Sequence, residues 1–270
     1  MTPGTRLRYV KGHGTENDFV VVPDPDGLLD LTADDVRRLC DRRAGIGADG
    51  LLRVVQAAHV QDGAPYADEA RWFMDYRNAD GSIAEMCGNG VRVYARYLVE
   101  SGLARPGHLR LATRGGVKEV DVEFDGDVTV DMGRAVVGES VDIDGVPGTF
   151  VDMGNPHAVV PVASVAALGV LDPSRKDLNV EYVEDVGPGH IRMRVHERGV
   201  GETRSCGTGA CAAVVATVLR DEAPLGTTYT VDVPGGRLSV TWREDGHVLL
   251  AGPAVLLASG EVRCDRLESP

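Results

Sequence analysis

Two cysteines stand where this sequence could do chemistry. Cys87 lies in Met86-Cys87-Gly88-Asn89-Gly90 and Cys206 in Ser205-Cys206-Gly207-Thr208-Gly209, each just ahead of a Gly-X-Gly turn that runs into an apolar, helix-like segment, 91–99 and 210–219. Glycines at such a turn allow close backbone approach and unusual dihedrals. The start of the following helix presents unpaired N–H groups and the positive end of its dipole. A thiol held there is expected to have a lowered pKa, and a carboxylate is expected to bind beside it. Two such stretches in one chain predict a matched pair.

Paired cysteines admit two chemistries. A redox pair is usually local, as in Cys-X-X-Cys, whereas Cys87 and Cys206 are far apart in sequence. The alternative is two-base proton transfer, in which one thiolate takes a proton from a carbon while a thiol on the opposite face returns one. That inverts a stereocentre. The two groups must hold different protonation states at once and so titrate as a coupled pair. An ordinary thiol, with a pKa of about 8.5, is mostly protonated at neutral pH, so a helix start that favours the thiolate is useful. The same N–H groups can stabilise carbanionic charge as it builds.

The elements that must position these thiols repeat. Strands are expected at 7–10 and 18–22 around the polar loop Gly12-His13-Gly14-Thr15-Glu16-Asn17, then a helix from an N-cap at Thr32 through Asp41, then strands at 51–55 and 70–76. Short strands are expected from 107 to about 131. A second series follows: Phe150-Val151-Asp152-Met153, the turn Gly154-Asn155-Pro156-His157, a strand at 158–160, a short helix at 162–168, and Ile191-Arg192-Met193-Arg194-Val195 alternating with period two. Further strands are expected at 229–231, 238–240 and 247–250. Asn78 and Glu197 precede their cysteines by the same interval of nine residues, and Asn17 and Asn155 each sit in a glycine-flanked loop entering an apolar strand. The pattern is that of a duplicated domain with diverged halves.

Composition narrows the class. The chain has 270 residues, 43% of them hydrophobic, enough for one large or two ordinary domains. A net charge of −13 argues against a nucleic-acid partner. The first dozen residues lack the apolar core of a signal peptide and no apolar run approaches a membrane span, so a cytoplasmic protein with free thiols and no membrane association is expected. The seven histidines show no metal-ligand spacing, and no metal site is expected. Lysine occurs only as Lys11, Lys118 and Lys176, none in a recognisable pocket motif, which disfavours a pyridoxal phosphate enzyme. Gly45-Ile46-Gly47-Ala48-Asp49-Gly50 matches the dinucleotide fingerprint but follows a helix and opens a strand, so it reads as a connecting loop. Cys40 and Cys211 read as small buried hydrophobes.

Five segments together resemble the diaminopimelate epimerase family: Met86-Cys87-Gly88-Asn89-Gly90, Met153-Gly154-Asn155-Pro156-His157, the run from Glu197-Arg198-Gly199 through Cys206-Gly207-Thr208-Gly209-Ala210-Cys211, Gly14-Thr15-Glu16-Asn17-Asp18-Phe19 and Asn78-Ala79-Asp80-Gly81-Ser82. They span nearly the whole chain in the family's order. The resemblance implies an α/β (α+β) fold of two pseudo-symmetric domains, each a mostly antiparallel sheet wrapped around a central helix, with the active site in the interdomain cleft. The expected domains are 1–129, with 257–270 returning to it, and 130–256. It implies a cofactor-independent isomerase that interconverts LL- and meso-2,6-diaminopimelate, in the lysine and peptidoglycan precursor pathway, with Cys87 and Cys206 as the acid–base thiols. Gly88, Asn89, Gly207 and Thr208 are implied to hold the reacting carboxylate. Asn17, Asn78, Asn155, Asn179, Glu197 and Arg198 are implied to hold the other polar groups of this small amino acid, and His157 and Glu197 to tune the thiols. A homodimer is implied as well. The rival readings are a related two-cysteine racemase of another amino acid and a thiol redox protein. Proline racemases tend to carry His where this chain has Asn89, which disfavours them. Gly50 departs from family members that carry a polar side chain at that position, and the polar stretch from Gln56 to Ala70 has no assigned role.

Overall fold

The computed structural model describes residues 6–263. In chain order the elements are β1 (Arg6–Gly14), β2 (Asn17–Pro23), α1 (Ala33–Cys40), β3 (Gly50–Gln56), β4 (Trp72–Asn78), α2 (Gly88–Glu100), β5 (Gly107–Thr113), β6 (Gly116–Val122), β7 (Val128–Arg134), β8 (Val136–Ile143), β9 (Val146–Asp152), β10 (Pro156–Pro161), β11 (Asn179–Gly187), β12 (His190–Glu197), β13 (Gly201–Thr203), α3 (Gly207–Arg220), β14 (Thr228–Val233), β15 (Gly236–Trp242), β16 (His247–Gly252) and β17 (Val255–Arg263). The chain divides into two compact units, one running to Val128 and resuming at Ala254, the other Thr129–Pro253. No helix among the described residues is long and apolar enough to cross a membrane.

In the first unit β1 pairs antiparallel with both β2 and β17, β2 runs parallel to β3, β3 antiparallel to β4, β4 parallel to β5 and β5 antiparallel to β6. This sheet wraps α2, which is buried at every residue from Gly88 to Leu98. A helix buried all round must be the centre of its unit. Helix α1 is amphipathic. Its Thr32 cap and Asp35 satisfy each other's backbone N–H groups in a capping box, and Val36, Leu39 and Cys40 pack onto Val20, Val22 and Leu51. The loop from Gly45 to Gly50 is packed on the end of α1: a Cβ at Gly45 would collide with the Arg38 carbonyl oxygen. The stretch after Gln56 forms two single 3-10 turns, Ala57–His59 and Ala64–Tyr66, and Val60, Tyr66 and Ala67 cover a small core of Val55, Ala57, Ala70, Phe73 and Ala112.

The second unit repeats the order of pairings. Strand β9 is antiparallel to β10, β10 parallel to β11, β11 antiparallel to β12, β12 parallel to β14 and β14 antiparallel to β15, all around α3, whose Gly209–Val218 stretch is buried. The duplication read from residue spacing is therefore a duplication of topology. The helix expected at 162–168 is one 3-10 turn, Val165–Ala167, because Ser164 provides no side-chain cap and a turn of three residues fixes little backbone hydrogen bonding. Strands β11 and β17 were not anticipated. Strand β11 carries Glu181 and Glu184 among its apolar residues, and β17 is largely exposed, so neither shows a clean period.

Candidate active site

Each cysteine is the N-cap of its unit's central helix. Cys87 has φ −142° and ψ 120°, and its sulfur accepts from the Gly90 N–H at 3.5 Å. Cys206 has φ −124° and ψ 118°, and its sulfur accepts from the Gly209 N–H at 3.4 Å. The extended cap followed by glycine is what turns the chain sharply into the helix and leaves the sulfur beside the first-turn N–H groups.

In the first unit the β1–β2 hairpin delivers Asn17. Its two turn residues, Thr15 and Glu16, are non-glycines at φ 50° and 63°, each costing about 1–2 kcal/mol of left-handed strain. The buried Arg92 guanidinium donates to the Thr15 hydroxyl at 3.2 Å and to Asn89 Oδ1 at 2.6 Å, tying this tip to the helix start. Asn89 Nδ2 in turn donates to Asn17 Oδ1 at 3.2 Å, and Cys87 Sγ donates to the same oxygen at 3.6 Å. Asn17 Nδ2 donates to Asp49 at 2.9 Å. Asn78 lies at the end of β4, with Tyr76 donating to its Oδ1 at 2.8 Å and its Nδ2 donating to Ser82 Oγ at 2.9 Å. The side chain absent at Gly50 is explained by that tyrosine: a Cβ there would sit 2.8 Å from the Tyr76 ring and 2.7 Å from the Arg77 carbonyl oxygen. The Tyr76 ring fills the space.

The second unit is built the same way around Cys206. The β9–β10 turn, with Gly154 at φ 91°, delivers Asn155, whose Nδ2 donates to Thr208 Oγ1 at 3.4 Å; Thr208 Oγ1 lies 3.5 Å from Cys206 Sγ. His157, fully buried, places Nε2 3.0 Å from Asn155 Oδ1 and Nδ1 2.7 Å from Glu181. Asn179 ties two loops together: its Nδ2 donates to the Pro156 carbonyl at 2.9 Å and its Oδ1 accepts the Arg198 N–H at 3.0 Å. Glu197 accepts from the Thr203 hydroxyl and is within hydrogen-bonding reach of Cys206.

The electrostatics of Cys206 correct one expectation from the sequence. The helix start was expected to lower its pKa. Instead, burial pushes the thiol well up, the Glu197 and Glu181 carboxylates push it further, and the Thr208 hydroxyl and Gly209 N–H only partly oppose them. Partial charges at a helix end are outweighed by complete desolvation next to two carboxyl groups. Burial likewise raises Glu197, with Glu181 adding to it and the Thr203 hydroxyl opposing. Cys40 and Cys211 are both buried; Cys264 lies outside the described residues.

The sequence profile of the diaminopimelate epimerase family matches residues 9–138 and 149–257. A diaminopimelate epimerase of Streptomyces coelicolor is 56% identical, the match covering 95% of this chain and 96% of that protein. The chain belongs to the diaminopimelate epimerase family. A second member, from Thermobifida fusca, is 49% identical over 97% of this chain and all of that protein. Among solved structures, the fold resembles a phenazine biosynthesis protein of the PhzF family from Bacillus anthracis, with TM-score 0.73 at 17% identity, covering 96% of this chain and 99% of that one. It also resembles a hydroxyproline epimerase from Agrobacterium vitis, with TM-score 0.66 at 16% identity, covering 96% and 93%.

Within this epimerase-family chain the residues singled out from sequence fall into two groups. Asn17 and Asn89 gather around Cys87 in the first unit, where Asn78 is held separately by Tyr76 and Ser82. Asn155, His157, Glu197 and Thr208 gather around Cys206, and Asn179 holds the Arg198 backbone. Sequence reasoning missed Glu181. It shares a face of β11 with Asn179 two residues earlier, and that spacing was the available signal.

Proposed function

We propose that this chain epimerises diaminopimelate, interconverting the LL and meso isomers in lysine biosynthesis by carrying the α-proton between the thiols of Cys87 and Cys206. The observation that carries this reading is the pair of cysteine N-caps of matching geometry, each at the head of a buried helix, Cys87 bonded to Asn17 and Cys206 linked through the Thr208 hydroxyl to Asn155. Membership of the diaminopimelate epimerase family supplies the substrate.

The chemistry follows from what each group can hold. In one direction the Cys87 thiolate takes the α-proton and Cys206 gives its own to the opposite face of the carbon. The enzyme is left with a Cys87 thiol and a Cys206 thiolate. Cys206, with its pKa raised, begins as the proton donor. In the reverse direction the Cys206 thiolate left by the first transfer takes the α-proton and the Cys87 thiol returns its own, so the enzyme ends as it began. The first-turn N–H groups at Gly88, Asn89, Gly207 and Thr208 suit the reacting carboxylate, whose charge increases as the proton leaves. Asn17, Asn78 and Asn155 supply polar contacts to the rest of the substrate. Arg198 suits its distal carboxylate and Glu197 an ammonium group. Asn179 acts through Arg198, since its side chain is engaged with that backbone. A cytoplasmic homodimer completes the reading, on the strength of the family resemblance.

The test is reduced protein with LL-diaminopimelate in D2O, following α-proton exchange by NMR and product stereochemistry by chiral chromatography. Deuterium at one α-carbon with appearance of the meso isomer is expected, and Cys87→Ala or Cys206→Ala should abolish epimerisation. Absence of exchange in the unaltered protein would overturn the assignment.

A further inference from the structure

Glu181 is a carboxylate for which the proposed proton transfer has no role. It is fully buried, it sits beneath the first turn of α3, and its Oε2 has no hydrogen-bond partner among the described residues. A Cβ at Gly209 would lie 2.6 Å from its Oε1, so the glycine leaves room for this group. A buried carboxylate is costly and persists only where something nearby needs it.

We propose that Glu181 is a positioning residue, resting on the function inferred above: it fixes the direction of a hydrogen-bond chain that ends with the Thr208 hydroxyl donating to the sulfur of Cys206. The chain runs from Glu181 Oε1 to His157 Nδ1 at 2.7 Å, from His157 Nε2 to Asn155 Oδ1 at 3.0 Å, from Asn155 Nδ2 to Thr208 Oγ1 at 3.4 Å, and from Thr208 Oγ1 to Cys206 Sγ at 3.5 Å. Both imidazole nitrogens face oxygen. If the shared proton lies on His157, both ring N–H groups donate; if it lies on Glu181, the carboxyl O–H donates to Nδ1. In either arrangement Nε2 carries a hydrogen and faces the Asn155 Oδ1 acceptor. A donated Nε2–H turns the Asn155 amide so that its Nδ2 points to Thr208, and the Thr208 oxygen, already accepting, directs its hydrogen to sulfur. Such a donor favours the thiolate over the thiol.

The charged and titratable groups around Cys206 are Glu197 from β12, Glu181 from β11 and His157 from β10, joined by the Thr208 hydroxyl and Gly209 N–H of α3. Two actions of Glu181 on this sulfur have opposite signs. A carboxylate acting only through space would, when removed, let Cys206 ionise at lower pH. Loss of the chain would make it ionise at higher pH. The 2.7 Å contact with His157 engages the Glu181 carboxyl oxygen, which weakens the first effect and leaves the second.

The experiment is a thiolate titration by ultraviolet absorbance of substrate-free protein, with the Cys206 component taken as the difference from Cys206→Ala. Glu181→Ala is expected to move the Cys206 midpoint up by about one pH unit, a tenfold change in acidity. Thr208→Val should do the same, and the double variant should move no further, because both cut one chain. Glu181→Gln, whose amide can donate to His157 Nδ1, should restore the original midpoint. A downward or absent shift in Glu181→Ala, or additive shifts in the double variant, would overturn the proposal. Should Glu181→Ala not fold, His157→Gln breaks the chain at its next link and carries the same expectation. The titration uses no substrate, so it remains decisive even if diaminopimelate is not turned over.

Discussion

Gly90 and Gly209 occupy the same place in the two halves, three residues into the cap of a buried helix, yet alanine should act differently at each. At Gly90 the added Cβ would meet Leu52 at 3.3 Å, Cys87 Cβ at 3.4 Å and Phe19 at 3.5 Å, a tight apolar fit that a small shift of the Leu52 side chain relieves. At Gly209 it would meet Glu181 Oε1 at 2.6 Å and Glu181 Cγ at 3.2 Å. That carboxylate is not a loose end, because His157 holds it and both are wholly buried. Alanine in a helix gains up to about 1 kcal/mol over glycine, and that gain applies to both sites. Forcing volume into a filled core costs about 1–3 kcal/mol, and that cost applies fully only at Gly209. Gly209→Ala should therefore be less stable than Gly90→Ala by about 1–3 kcal/mol. Each unit carries one of the two tryptophans, Trp72 in the first and Trp242 in the second. Denaturant unfolding followed by Trp242 fluorescence, in a Trp72→Phe background, reports the second unit. The reciprocal Trp242→Phe background reports Gly90→Ala. Equal stability losses in the two backgrounds would show that Glu181 yields to the new methyl group, and the wedge described here would be wrong.

Three further outcomes are expected. Burial pushes the Cys40 thiol up to about 12, so iodoacetamide at pH 8 should leave it unmodified in the native protein, as mass spectrometry of its peptide would show; modification at a free-thiol rate would refute this. The Asp75 carboxyl would be raised by its burial, but the Arg114 and Arg77 guanidiniums outweigh this and hold it below the ordinary range. The stability it contributes is therefore complete above roughly pH 4 and is lost as pH falls through the folded-state value; Arg114→Gln should move the acid-unfolding midpoint of the first unit upward by circular dichroism, and an unmoved midpoint would count against it. Tyr76→Phe removes the donor that orients the Asn78 amide, and should raise KM for diaminopimelate about twofold to twelvefold, given roughly 0.5–1.5 kcal/mol for one such bond, with kcat little changed.

What the sequence disclosed, and what it did not, follows from the range of each signal. The starts of α2 and α3 were legible because a cap, two glycines and an apolar run lie within a few residues of one another. Thr32 and Asp35 announced α1 for the same reason. Strand β17 was not legible, since its residues alternate poorly and it is defined by pairing with β1 at the far end of the chain. At the candidate site, the residues around Cys87 and Cys206 were named from local motifs. The upward displacement of the Cys206 pKa was not, because it depends on burial that only the folded sheet creates, with Glu197 adding to it. The loop at Gly50 is similar: a missing side chain can be read in sequence, whereas the ring that takes its place comes from β4.

The pairing of β1 with β17 also bears on how the protein is made. Arg6 pairs with Arg263, so the first and last described strands are neighbours in one sheet, and the whole second unit lies between them in the chain. On a ribosome adding about 5–20 residues per second, the first unit emerges with the β17 edge of β1 unpaired and must wait while the intervening unit is synthesised. The second unit is contiguous and complete before β17 is made. The first unit's sheet can therefore be completed only after the whole second unit has been made.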